Sequence, residues 1–290
     1  MSDVRLAVRS RCGRLNLEMT RPRLQLAGVV LGILGWTGCL GFFANDGSSV
    51  SLGSHARGAL VHGVAMPFVG AGYAVPSDWR ARQHNYATEE VVRWLSQVFQ
   101  KVDQEMPGSL AHLGDLSASR GGDCVSHRSH ASGRDIDIFY FATDSAHQPL
   151  TGQPAMIHFS GDGRAVRWST ARPGQMVRAS LADAHFDAPR NWALVRAMLS
   201  NSSVEVQWIF MHSSLADLLI QEGERKGAPE ELVARAREIL HQPTDSQPHD
   251  DHMHIRVFCA PGDRAFGCTD KGPKRWLKKH WKYLHSGSSF

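Results

Sequence analysis

The sequence predicts an α+β fold: a small, mainly antiparallel sheet with helices packed around it. Two short windows far apart in the chain carry the strand signal. Asp135-Ile136-Asp137-Ile138-Phe139 and His252-Met253-His254-Ile255-Arg256-Val257 both alternate polar and apolar residues, the period of a half-buried strand. The helix signal is clearest at Val91, Val92, Trp94, Leu95, Val98, Phe99 and Val102, which recur at helical spacing. Clusters of Pro, Gly, Ser and Asp separate the periodic segments and mark the turns.

The chain has 290 residues, enough for one sizeable domain plus an extension. Residues 1–23 are basic, with Arg5, Arg9, Arg11, Arg14, Arg21 and Arg23 against Asp3 and Glu18. An uncharged run then extends from Leu26 to Ala44. At roughly 19 residues it approaches the length needed to span a bilayer core. Basic residues ahead of such a run keep its N-terminus in the cytoplasm. It reads as a cleaved signal peptide, as a retained signal anchor that would tether the protein to a membrane, or, through Trp36-Thr37-Gly38-Cys39, as a lipoprotein site. All three export the remainder, which places the protein in the periplasm or cell envelope. Residues 45–72 lack strong periodicity and read as a linker with loose early structure, and His55 and His62 within it as incidental.

The folded domain, 73–290, is expected to begin near Tyr73. A helix over 85–106 takes Thr88 as N-cap, has Glu89 and Glu90 in its first turn and stops at Pro107-Gly108. Leu110 to Leu116 reads as a strand, and a Ser-Arg-Gly-Gly loop leads from it to the first polar window. Residues 136–142 form the next strand, and 143–182 read as irregular hairpins over a rim. Asp187 and Arg190 suit the start of a helix that runs through Leu199, as a cap and a paired charge. Val204 to Met211 reads as a buried strand that ends at His212. Two amphipathic helices follow, 215–220 and 229–240, and a loop over 243–248 delivers His249 to the last strand, 253–258. The tail from Lys271 to His285 interleaves basic residues with Trp276, Trp281 and Tyr283. It suits either docking on an anionic polymer or membrane surface, or a short helix that packs its aromatics on the domain.

The two polar windows carry chemistry. On a strand, Asp135 and Asp137 point to one face and Ile136 and Ile138 to the other. Gly133 permits a sharp turn that folds His130 back over Asp137. His252 and His254 likewise share a face. With the strands side by side, His130, Asp137 and one of these two histidines make three ligands for a divalent ion, and the donor set suits zinc. Three protein ligands leave a fourth tetrahedral position open, the arrangement of a catalytic site. Spacing alone does not choose between His252 and His254. Single histidines are usually bystanders, but five of them, with several carboxylates, fall in two short stretches, His127 to Ile138 and His249 to Arg256. His127 and Asp135 are placed to orient ligand imidazoles.

Composition limits the alternatives. A formal charge of +4 carries no strong polyanion-binding signature, and no nucleic-acid motif, phosphate loop or internal repeat is present. Of the five cysteines, Cys12, Cys39, Cys124, Cys259 and Cys268, the last two bracket a turn-rich loop, where a disulfide suits an oxidising compartment. Cys124 reads as a lone thiol.

The motif Ser126-His127-Arg128-Ser129-His130-x-x-Gly133-x-Asp135-Ile136-Asp137-Ile138, with Trp208 to His212 and His249-Asp250-Asp251-His252-x-His254-Ile255-Arg256, resembles the lysostaphin and D-alanyl-D-alanine metallopeptidase group. Within it, the chain looks like the penicillin-insensitive murein endopeptidases, over about 73–268. The resemblance implies a single zinc-peptidase domain with one Zn2+ per chain, held by His130, Asp137 and His254. It implies His252 as general base, with His249 assisting or binding substrate. It supports the Cys259–Cys268 bridge. It suggests Asp115 as a residue that orients a ligand, against a plain turn carboxylate, and His212 as a substrate contact, against a surface loop histidine. The implied substrate is peptidoglycan, at the amide between D-alanine and the diamino acid of a neighbouring stem. A carboxypeptidase on the same scaffold and a metal-containing wall-binding module without activity are the other readings. Oligomeric state is not legible.

Overall fold

The computed structural model describes residues 49–122, 128–153, 155–166 and 183–272. The basic N-region, the uncharged run over 26–44, His127, Cys124 and the aromatic tail beyond 272 lie outside the described residues. In chain order the elements begin with strands β1 (Val50–Gly53), β2 (Gly58–Val61), β3 (Val64–Ala65), β4 (Val69–Gly70) and β5 (Tyr73–Ala74), then helix α1 (Ser77–Arg82), β6 (Tyr86–Ala87) and the long helix α2 (Glu89–Glu105). The middle of the chain supplies β7 (Ala111–His112), β8 (Asp135–Phe139), β9 (Ala142–Thr143), β10 (His185–Phe186) and α3 (Ala188–Ser200). The last part holds β11 (Val206–Phe210), α4 (Ser213–Arg225), α5 (Glu230–Ile239), β12 (Leu240–His241), β13 (His252–Val257) and α6 (Pro261–Ala265).

A four-stranded sheet in the order β12-β11-β13-β8 is the frame of the site. β13 is antiparallel to both neighbours, β11 and β8, and only the short β12 is parallel to its partner. The alternation read from sequence sorts its two faces. Ile136, Ile138, Met253, Ile255, Val257 and Ile209 are all essentially buried and join one apolar cluster with Trp94, Leu95 and Val98 of α2, Leu194 of α3 and Leu215 of α4. Asp135, Asp137, His254 and Arg256 occupy the opposite face. The fold is the expected α+β arrangement, and smaller two- and three-stranded sheets surround the central one.

Several element boundaries follow the expected signals. Thr88 is the N-cap residue of α2, though its hydroxyl donates to Glu90 and the Glu89 N–H donates instead to Ser49 Oγ. Asp187 caps α3 by accepting from the Arg190 N–H and pairs with the Arg190 guanidinium at 2.7 Å. The strand expected over 110–116 is shorter: β7 covers two residues, and Leu113 adds only an isolated bridge to Ile138.

Residues 49–72 differ from the expected loose linker. They form β1–β4, and Ser51, Leu60 and Met66 are buried. Their partners are remote, which is why no local pattern shows them. Ser51 N–H donates to Asp263, Leu60 N–H to the Arg120 carbonyl, and Arg134 Nε to Ser51 Oγ. Arg134 is itself buried and donates to the Val257 and Thr269 carbonyls and to Asp270. One guanidinium therefore ties the first hairpin, the loop before β8, the end of β13 and the segment beyond the disulfide. That disulfide, Cys259–Cys268, is present with its Cα atoms 6.0 Å apart.

Asp263 sits beside it, 6 % exposed, and burial raises its carboxyl from the usual 3.8 to about 6 against the Ser51 N–H that favours its charge. Between pH 4 and 6 the folded protein therefore holds a proton that the unfolded chain has released. Stability from this group falls as pH rises through that window, and its cost is fully present above it. Asp263→Asn is expected to gain on the order of 2 kcal/mol over the parent at pH 7 and to lose that gain below about pH 4. Urea unfolding of both proteins from pH 4 to 7 checks it; a gain independent of pH would contradict it.

Candidate metal centre

The sheet register sets the site. His254 on β13 stands opposite Asp137 on β8, and Arg256 stands opposite Asp135. His254 Nδ1 lies 3.0 Å from Asp137 Oδ1, and His254 Nε2 lies 2.8 Å from Asp135 Oδ1. His130 arrives from the preceding loop. Its backbone is left-handed, with φ +67°, and Gly133 follows at φ +75°. A Cβ on Gly133 would stand 2.8 Å from the Leu60 side chain, so this turn has no room for another residue. Ser117 fixes the turn from both ends: its hydroxyl donates to the His130 carbonyl and accepts from the Gly133 N–H. The result puts His130 Nε2 at 3.3 Å from Asp137 Oδ1 and its ring edge-on to that of His254.

The far nitrogens of both imidazoles are spoken for. His130 Nδ1 is 2.7 Å from the Leu116 carbonyl, and His254 Nε2 meets the Asp135 carboxylate. Both acceptors require a proton on the nitrogen they face, which turns the lone pairs of His130 Nε2 and His254 Nδ1 toward Asp137. These two nitrogens and an Asp137 oxygen lie within 4.8 Å of one another. Two neutral imidazoles and a carboxylate, with lone pairs converging and tautomers held from behind, fit a divalent ion of borderline softness. The local field favours positive charge at this point, whether from a bound cation or from a proton on His130. Burial alone would lower the pKa of His130, yet Asp137 beside it raises it to about 9. Burial likewise opposes the charge on Asp137 and Asp135, but His130 and His252 around the first and Arg256 around the second hold both carboxyls well below the usual range.

His252 lies one step along the same strand face, its Nε2 3.6 Å from Asp137 Oδ1. Its Nδ1 faces Asp251 at 2.6 Å. Burial opposes the charge on His252, but Asp137 and Asp251 raise its pKa. His249, at ring distances of 5.1 and 5.7 Å from His252 and His254, is pushed the other way, to about 4, by burial and those two neighbours, and is neutral near pH 7. A second donor group, His249, His252 and His254, shares His254 with the first. The Tyr140 hydroxyl and the His212 N–H both donate to the His249 carbonyl and hold this segment against the sheet.

The remaining expected residues have specific places. Asp135 touches His254 directly. Asp115 is buried; its carboxylate takes Arg82 Nη1 at 2.7 Å, and its carbonyl accepts the Asp137 N–H. His212 is the N-cap of α4, where its Nδ1 accepts from the Ser214 N–H.

Sequence reading missed His158. Its Nδ1 meets Asp250 at 2.8 Å and its Nε2 Asp251 at 3.5 Å, so it backs the carboxylate that holds His252. The three also form a donor group, half-buried, in which one imidazole meets two carboxylates. The pair Asp250-Asp251 between two histidines was a visible signal; His158, alone and remote, carried none. His55, taken as incidental, lines the cleft beside the centre, with Arg128 and Arg256. Asp135→Asn is expected to weaken binding of a divalent metal at this candidate centre about 10- to 100-fold, because the amide would orient the His254 imidazole less well. Competition with a chromophoric chelator measures it; unchanged affinity would contradict the role of Asp135.

Comparison with known proteins gives one family. Residues 51–276 match the penicillin-insensitive murein endopeptidase family. A protein of that name from Klebsiella pneumoniae (strain 342) is 24 % identical over 233 residues, 78 % of this chain and 72 % of the relative. One from Haemophilus influenzae is 23 % identical over 232 residues, 79 % of this chain and 70 % of the relative. The matched segment begins in β1, in keeping with the packed hairpin at 50–61.

Proposed function

This chain belongs to the penicillin-insensitive murein endopeptidase family, and from that premise we propose that it is a zinc-dependent endopeptidase of the cell envelope that hydrolyses D-alanyl–diaminopimelate amides in peptidoglycan cross-links. The observation that carries the reading is the convergence of His130 Nε2, Asp137 Oδ1 and His254 Nδ1 on one point, with His252 and His249 beside it. The Cys259–Cys268 bridge suits an oxidising compartment. Among the described residues no helix is long and apolar enough to cross a membrane; a tether through 26–44 remains part of the proposal.

His130, Asp137 and His254 would hold the ion. Zinc in such a site polarises the scissile carbonyl and makes an attacking water more acidic. The chain's own groups do the rest. Asp251 fixes the tautomer of His252 with the proton on Nδ1, so that Nε2 offers its lone pair to the cluster. His252 Nε2 takes a proton from the attacking water and delivers it to the leaving amine nitrogen. His249, neutral, assists or contacts substrate beside it. No side chain forms an acyl intermediate, so β-lactams find no serine to trap.

Chelation is expected to abolish cleavage of a cross-linked muropeptide dimer, and added zinc to restore it. Turnover that persists in metal-free protein would defeat the proposal. His252→Ala is expected to keep its metal, measured by elemental analysis, while kcat falls about 10²- to 10⁴-fold. Dimer cleaved while monomeric stems are left whole separates an endopeptidase from a carboxypeptidase.

A further inference from the structure

We infer that Arg256 is a specificity-determining residue: its guanidinium binds a substrate carboxylate on the carbon that bears the scissile nitrogen. The inference rests on the endopeptidase reading above and deepens it. Arg256 is 11 % exposed in its side chain, lies on the metal-bearing face of β13 two residues beyond His254, and lines the cleft. Two residues along a strand correspond to about 7 Å, within reach of a long side chain from any group a few bonds from the reacting carbonyl.

Its orientation is fixed from two sides. Nε donates to Asp135 Oδ1 at 2.7 Å, the oxygen that also meets His254 Nε2 at 2.8 Å. The guanidinium carbon sits 5.0 Å from the centre of the Phe210 ring. Among the described residues, no acceptor engages its two terminal amino groups. A guanidinium held by one edge and one face, with its remaining donors unspent and bordering a cleft of about 1200 Å³, is prepared for a planar anion. Arg128 and His55 line the same cleft. Burial, then Arg256, drives the His55 pKa down to about 4, so the imidazole is neutral near pH 7 and offers hydrogen bonds at a place where the potential is positive.

The substrate chemistry matches. In a D-alanyl–diaminopimelate amide, the carbon that carries the scissile nitrogen also carries a free carboxylate. An amide to a simple side-chain amine has none. A cation on the same strand face, two residues from His254, therefore reads the bond to be cut, not the length of the stem.

The test compares two dimeric muropeptides that differ only at that group, a carboxylate in one and a carboxamide in the other, with the zinc-loaded full chain. Wild type is expected to prefer the carboxylate dimer about 10- to 100-fold in kcat/KM, the range of a charged hydrogen-bonded pair. Arg256→Gln is expected to lose that preference and Arg256→Lys to regain part of it. Metal content is measured for each, because Arg256 also touches Asp135. Equal kcat/KM for the two dimers in wild type would overturn the inference, as would a full preference retained in Arg256→Gln, or equal losses on both substrates in that variant. Failure of wild type to cleave either dimer would instead defeat the endopeptidase reading, and the inference with it.

Discussion

Two carboxylates, Asp135 and Asp137, are buried side by side on one face of β8. Removing a carboxylate from water costs several kcal/mol unless partners replace its hydration. The scaffold is arranged to deliver those partners. β13 brings His252, His254 and Arg256, and a left-handed turn before β8 brings His130. His130, His252, His254 and Arg256 each meet one or both of these carboxylates, and the local field the two charges create suits a cation.

This constraint explains the antiparallel register. A slip by one residue would move His252, His254 and Arg256 to the apolar face and Met253 and Ile255 to the cleft. Both losses would fall on the same strand, so the core and the centre enforce the same alignment. Arg134 extends the coupling outward. It joins β1, the loop ahead of β8 and the segment after β13, so the first hairpin is part of the frame around the centre.

A layered order also emerges around the centre. Asp137 touches the three imidazoles of His130, His252 and His254. Behind them stand acceptors that set their tautomers: the Leu116 carbonyl, Asp251 and Asp135. Behind Asp251 stands His158, and beside Asp135 stands Arg256. Chemistry at the centre thus depends also on a residue that does not reach it, His158. A hydrolase that needs water excluded on one side and a polymer admitted on the other gains from holding its polar groups on a sheet, with the cleft bordered by the loop over 243–248.

The sequence by itself determined what could be written in short periods. Alternation placed Asp135 with Asp137 and His252 with His254, helical spacing located α2, and Asp187 with Arg190 marked the start of α3. These signals survive because each is decided by backbone geometry within a few residues. Only the tertiary structure decided that residues 49–72 are packed strands, that His158 backs Asp251, and that His254, not His252, stands opposite Asp137. Those outcomes rest on contacts between segments dozens to hundreds of residues apart, such as Ser51 with Asp263 or His158 with Asp250. Pairing across such distances is chosen by burial and charge balance over the whole domain, which no local pattern records.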